Sequence, residues 1–179
     1  MSNFQSFKSP REENLLICFA DLTNFSKYAM KRADLETFDY ISHFCEIVGD
    51  EIESKGGKII KFIGDEVLMI FPENLIDEGI LALLNLKRKV DNFNKDNNLD
   101  SQLIIKCNFG KVVIGMLGTK NNKRLDIIGK EVNTTALLKS NGFAMTAETF
   151  RKLKSETRKL FKKHTPPITY IPLEERHKI

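Results

Sequence analysis

Two aspartates stand at the ends of otherwise apolar runs. Asp21 closes Leu15-Leu16-Ile17-Cys18-Phe19-Ala20, and Asp65 sits at the tip of Lys61-Phe62-Ile63-Gly64-Asp65-Glu66-Val67-Leu68-Met69-Ile70-Phe71, where one run ends and the next begins. Aspartate is disfavoured in strands and expensive to bury without a partner. Taken singly, Asp21 reads as the cap of a following helix and Asp65 as half of a Gly-Asp turn. Taken together they offer two hard oxygen ligands, which suit Mg2+ or Mn2+ rather than zinc. Directly after Asp21 come Leu22-Thr23-Asn24-Phe25-Ser26, where the start of a helix would present backbone N–H groups to a phosphate.

A second pair is also out of place. Lys61 lies between Ile60 and Phe62, and Asp126 between Leu125 and Ile127-Ile128. Alone, such a lysine is an edge-strand or snorkelling residue. As donor and acceptor side by side, the two complement a base that shows a ring-nitrogen acceptor next to an exocyclic amine. Adenine has that pattern at N1 and N6, and cytosine at N3 and N4; guanine and uracil present the opposite polarity.

The elements that must carry these residues follow from periodicity. Asn14 to Ala20 reads as a first strand, Thr23 to Met30 as a short helical turn. A longer helix from Asp34 has Leu35, Phe38, Ile41, Cys45, Val48 and Ile52 at three- and four-residue intervals, predicting one buried stripe, and Gly56-Gly57 stops it. Lys58 to Ile63 and Glu66 to Phe71 form a hairpin about Gly64-Asp65, ended by Pro72. A second helix buries Ile76, Ile80, Leu83, Leu86, Val90 and Phe93. Another hairpin is expected from Leu103–Cys107 and Val112–Met116 around Gly110-Lys111, with Thr119 to Lys123 an exposed loop. Leu125 to Ile128, Gly129 and a short helix over Glu131 to Lys139 come next; the tail adds a strand at Phe143–Met145, a helix near Glu148–Leu153 and a final strand pair around Leu160 and Ile168–Ile171. Recurring hairpins between helices predict an α+β fold, an antiparallel or mixed sheet with helices on one face.

With 179 residues the chain suits a single domain with a real core. No apolar stretch is long enough to span a membrane and Met1 to Arg11 lacks a signal-peptide core, so a cytoplasmic protein without a membrane partner is expected. Cys18, Cys45 and Cys107 lie in apolar runs without zinc-type spacing and read as buried free thiols. A net charge of +4 and the late basic cluster from Arg151 to Lys163 lack aromatic interleaving or a reading helix, so no nucleic-acid partner is expected.

Three segments occur in order: Phe19-Ala20-Asp21-Leu22-Thr23-Asn24-Phe25-Ser26, Gly57-Lys58-Ile59-Ile60-Lys61-Phe62-Ile63-Gly64-Asp65, and Asp126-Ile127-Ile128-Gly129-Lys130-Glu131-Val132-Asn133. Each alone is a weak signal, but together, with their spacing, they closely resemble the catalytic domain of class III adenylate and guanylate cyclases, over Asn14 to Leu173. The resemblance implies a ferredoxin-like βαββαβ core, with a leader over residues 1–13, the catalytic domain over 14–173 and a tail over 174–179. It implies that Asp21 and Asp65, with the backbone of Leu22, hold two Mg2+ or Mn2+ ions per site, and that Phe25 and Ser26 belong to the turn wrapping the triphosphate. Lys61 and Asp126 match the purine-selecting pair in its adenine form, Asn133 the ribose-orienting asparagine, and Lys163 a late phosphate-binding lysine, with Lys162 nearly as good a match. Family members act as head-to-tail dimers. Asp21 and Asp65 of one copy would meet Lys61, Asp126 and Asn133 of the other, so a homodimer has two sites and a monomer none.

One position departs from the pattern. One helical turn beyond Asn133 the family usually places an arginine, and here the residue is Leu137. Losing a charged phosphate donor corresponds to on the order of 3 kcal/mol in the barrier. Lys130, one turn the other way, is a conceivable replacement, or simply an exposed lysine. The expected reaction is ATP to 3′,5′-cyclic AMP and pyrophosphate. Two alternatives stand beside it: a stand-alone pyrimidine nucleotide cyclase acting on CTP or UTP in antiviral signalling, and a degenerate cyclase-like domain that only binds nucleotide. No catalytic histidine is required, so His43, His164 and His177 read as structural or surface residues.

Overall fold

The computed structural model describes residues 9–176. The chain runs β1 (Arg11–Leu22), α1 (Phe25–Ala29), α2 (Asp34–Glu53), β2 (Lys58–Ile63), β3 (Glu66–Pro72), α3 (Ile76–Asp96), β4 (Leu103–Thr119), β5 (Asn122–Ile128), α4 (Lys130–Leu137), β6 (Phe143–Met145), α5 (Ala147–Lys152), α6 (Ser155–Arg158), β7 (Phe161–His164) and β8 (Thr169–Pro172). One eight-stranded sheet holds all the strands in the order β2-β3-β1-β4-β6-β8-β7, and β5 pairs with the outer half of β4. Every pairing is antiparallel except that of β4 with β6. The α+β architecture is thus the expected one.

The apolar run of β1 has no polar alternation because both its faces are covered. On one face Leu16, Cys18, Ala20 and Leu22 pack with Tyr40, Phe44, Val48 and Ile52 of α2 and with Ile80, Leu83, Leu86 and Val90 of α3. On the other, Leu15, Ile17 and Phe19 join Leu68, Ile70, Val112, Ile114 and Ile127, and Val132 of α4 packs against them. This corrects the expectation of helices on one face only: α4 lies on the face opposite α2 and α3. β1 also starts at Arg11 and ends at Leu22, outside the expected limits at both ends.

The buried row of α2 is another correction. Tyr40, Phe44, Val48, Glu51 and Ile52 are buried, whereas Leu35 and Phe38 are 78% and 69% exposed and Cys45 is only half-buried. The first turns of α2 leave their apolar residues in solvent, and the inner row begins with the aromatic residues Tyr40 and Phe44. Tyr40 buries its ring and still satisfies its hydroxyl by donating to Asn94 Oδ1 at 3.0 Å. The row expected for the second helix, by contrast, is the one that packs in α3, with Phe93 partly buried.

The hairpin expected around Gly110-Lys111 does not exist. β4 continues through it, and the ladder with β1 runs on from Leu15 opposite Gly110 to Arg11 opposite Ile114. The chain reverses instead at Lys120-Asn121, inside the expected loop, with Thr119 paired to Asn122. Gly110 serves close approach, because a Cβ there would stand 2.5 Å from Cγ of Glu131 on α4. Gly64 does turn the chain, with φ +64, between β2 and β3 as expected. Among the described residues no helix is long and apolar enough to cross a membrane.

Candidate active site

Asp21 faces Glu66 across the β1–β3 ladder, and the β2–β3 turn sets Asp65 beside that pair. The carboxyls of Asp21 and Asp65 interact directly, and Asp65 is pushed up to about 6, first by burial of its carboxyl and then by the charge and hydrogen bond of Asp21. Asp65 and Glu66 are both half-buried at this end of the hairpin. Glu66 is raised by burial and by Asp21, with Lys106 opposing. Three acids thus converge with little local positive charge, and all their donors are hard oxygens, so the two aspartates fit a divalent ion of the Mg2+ or Mn2+ type. Among the described residues no cluster of three or more His, Cys, Asp or Glu side chains is arranged to hold a metal. An ion at Asp21 and Asp65 would therefore complete its shell with backbone, phosphate or water oxygens.

α1 begins just past Asp21. Asn24 takes a left-handed conformation (φ 59) and its side-chain amide donates to the Asp100 carbonyl at 3.0 Å, fixing the bend. Phe25 packs inward against the core and the Tyr40 ring, with centroids 6.3 Å apart, while Ser26 is exposed. The first-turn N–H groups of α1 are left to find outside acceptors.

On the other side of β3, Lys61 Nζ donates to Asp126 Oδ2 at 2.6 Å. A bulge in β2 between Ile59 and Lys61 precedes that lysine in the ladder. The other oxygen of Asp126 accepts from the Ile127 N–H at 2.8 Å, and its side chain is only 18% exposed. Among the described residues no hydrogen bond or ion pair joins Lys61 or Asp126 to Asp21 or Asp65. Around this second pair the surface is apolar: Phe62, Ile63, Met116, Leu117 and Ile128 are all exposed.

α4 is anchored by a polar network. Asn108, buried in β4, donates to Glu131 Oε2 at 2.9 Å and accepts from Thr146 Oγ1 at 2.8 Å, and the Thr135 hydroxyl donates to the Glu131 carbonyl at 2.6 Å. The opposite side of the helix leaves Asn133 exposed and Leu137 82% exposed, one turn apart. Lys130 projects into solvent near Glu131, at 3.8 Å. Lys163 is exposed on β7, at the far edge of the sheet, whereas Lys162 donates to the Leu173 carbonyl. His43 is tied to the Asp39 carbonyl at 2.9 Å and stacks on Phe93; His164 is half-buried in β7, and His177 lies outside the described residues.

The sequence reading overlooked Glu66, Lys106 and the Asn108–Glu131 anchor. The signals were present: an acid beside Asp65, a lysine between Ile105 and Cys107, and an asparagine inside a buried strand.

A profile of the adenylate and guanylate cyclase catalytic domain matches residues 7–169, and the chain belongs to that family. Its members are lyases that act on nucleotides. An adenylate cyclase of Anabaena cylindrica is 23% identical over 130 residues, 68% of this chain and 26% of that protein. The chain thus spans about a quarter of that curated relative. A bacterial light-regulated adenylyl cyclase superposes with a TM-score of 0.82 at 21% identity, over 96% of this chain and 55% of that one. The guanylyl cyclase Cya2 gives 0.75 at 17% identity, over 90% and 91%. These likenesses establish the fold and leave the base open.

Proposed function

We propose that the domain converts ATP to 3′,5′-cyclic AMP and pyrophosphate at sites shared by two head-to-tail copies. The observation that carries this reading is the Lys61–Asp126 pair, held at 2.6 Å with one carboxylate oxygen already committed to the backbone. Opened by a base, it offers an N–H to adenine N1 and an acceptor to the N6 amine. The lack of a hydrogen bond or ion pair between it and Asp21 or Asp65 among the described residues, and the exposed apolar rim of Phe62, Ile63, Met116, Leu117 and Ile128, support completion of the site by a second copy.

Asp21, Asp65 and the Leu22 carbonyl would hold two Mg2+ or Mn2+ ions. Such ions, when bound, lower the pKa of the ribose 3′-hydroxyl and neutralise phosphate charge. Asn133, exposed on a firmly anchored helix, orients the ribose so that the 3′-oxygen faces the α-phosphorus. The new O–P bond forms as the bond to the β-phosphate oxygen breaks, the hydroxyl proton passes to solvent and pyrophosphate departs. Phe25, its ring fixed in the core, and Ser26 supply the backbone turn for the triphosphate, and Lys163 is free to meet its outer oxygens.

The test is incubation of the dimeric protein with ATP, GTP, CTP and UTP in Mg2+ or Mn2+, followed by product analysis. Cyclic AMP as the main product supports the proposal. Cyclic CMP or cyclic UMP would replace it with a pyrimidine cyclase, and no cyclic product with retained nucleotide binding would show a degenerate domain.

A further inference from the structure

Lys106 is a charged residue in a strand whose neighbours Ile105 and Cys107 are fully buried on the opposite face. It stands opposite Phe19, and Asp21 stands opposite Ile104, so Lys106 is the diagonal neighbour of Asp21 on the α4-covered face of the sheet. Glu66, across from Asp21 on β3, shares that face, and the Lys106 charge acts on it. At its other end Lys106 Nζ donates to the Ala136 carbonyl at 2.9 Å, next to Leu137. It is half-buried and makes no ion pair with a carboxylate among the described residues. Other cations near the site are engaged or turned away: Lys61 is held by Asp126, and the side chain of Lys130 is 90% exposed.

We propose that Lys106 is a phosphate-contacting catalytic residue of the cyclisation, a reading that rests on the nucleotide cyclase assignment. One N–H holds the last turn of α4, and the remaining two are available to oxygens of a triphosphate seated over Asp21. As the bond to the β-phosphate oxygen breaks, negative charge grows on the leaving pyrophosphate, and an ammonium already fixed beside the site stabilises it without reorganisation. The charge then comes from the strand under α4, and an uncharged leucine at 137 is tolerated. A lysine capping the end of a helix is itself ordinary, and that structural role alone would affect stability and not phosphate affinity.

The full chain is compared with Lys106→Met, Lys106→Arg and the double variant Lys106→Met/Leu137→Arg, with Lys111→Met as a surface control. Pyrophosphate binding in Mg2+ and steady-state turnover are both measured. Lys106→Met should weaken pyrophosphate binding about tenfold and lower kcat about thirtyfold with little change in KM, while Lys106→Arg keeps most of both. Arginine at 137 should recover about tenfold of the lost kcat, which restoring a helix cap would not do. Pyrophosphate affinity and kcat within about twofold of the parent in Lys106→Met, with only a lower Tm, would overturn the proposal. A parent that binds pyrophosphate through Lys106 yet cyclises no nucleotide would refute the cyclase assignment, and with it the catalytic role, while leaving the phosphate contact.

Discussion

Lys61 on the bulged strand β2 and Asp126 on β5 are bound to each other at 2.6 Å before any nucleotide is present. Asp126 is the less exposed of the two and accepts from its own strand, so it is the fixed half of the pair and Lys61 the adjustable half. A carboxylate can only accept, whereas an amide can turn and donate. Asp126→Asn should therefore lower ATP turnover and narrow the preference for ATP over GTP by about tenfold or more. Competition between the two nucleotides, read as the ratio of kcat/KM, checks this. An unchanged ratio would mean that Asp126 does not touch the base.

The crowding of Asp65 against Asp21 makes the proposed metal site a stability liability in the metal-free protein. Asp65 is raised from 3.8 to about 6, so between those values the folded protein keeps a proton that the unfolded chain has lost. Stability falls as pH rises through that window, and the destabilisation is complete above about pH 6. Asp65→Asn should raise the Tm of the metal-free protein near neutral pH, with little effect at about pH 4. The same variant should lose turnover and the rise in Tm that Mn2+ gives the parent. Thermal melts with and without Mn2+ decide it: a variant stabilised by Mn2+ as much as the parent would remove Asp65 from the metal site.

The proposed sharing of each site between two copies predicts complementation between Asp21 and Lys61 variants. Asp21→Asn and Lys61→Ala should each be inactive alone. Mixed equally and allowed to exchange, half the dimers would be mixed and each would hold one intact site of two, giving about a quarter of the parent activity. No recovery in a preparation shown to contain mixed dimers would mean that the two residues serve the same copy's site.

Asp21, Asp65, Lys61 and Asp126 were legible because each is a charged residue inside an apolar run, where burial demands a reason. The α3 face was legible from its pattern, since its inner row from Ile80 to Val90 is aliphatic. In α2 the inner row includes Tyr40, and a tyrosine that hides its ring while bonding Asn94 looks polar in sequence. Gly110 misled for a different reason. Glycine marks either a turn or a close approach, and only the partner across the gap, Glu131, tells which. Lys106 escaped because its significance lies in contacts at both ends, with Ala136 on one side and the Asp21–Glu66 face on the other.

Gly110 in turn offers a test of how tightly α4 must be held. An added Cβ would lie 2.5 Å from Glu131 Cγ and 3.1 Å from its Cβ, so α4 must move off β4 and take Asn133 and the Ala136 carbonyl with it. Overpacking of this kind destabilises by about 1–3 kcal/mol, which for a chain of this size lowers Tm by roughly 2–12 °C. Gly110→Ala should show that fall and, on the proposal that Asn133 sets the line of attack, a loss of turnover of about tenfold or more. Gly49 lies within α2 and has open space around its Cβ position. Gly49→Ala should hold or raise Tm, by up to about 1 kcal/mol of stability, with turnover unchanged. If Gly110→Ala melts lower but turns over like the parent, the position of α4 does not limit the chemistry and Asn133 loses its assigned part in it.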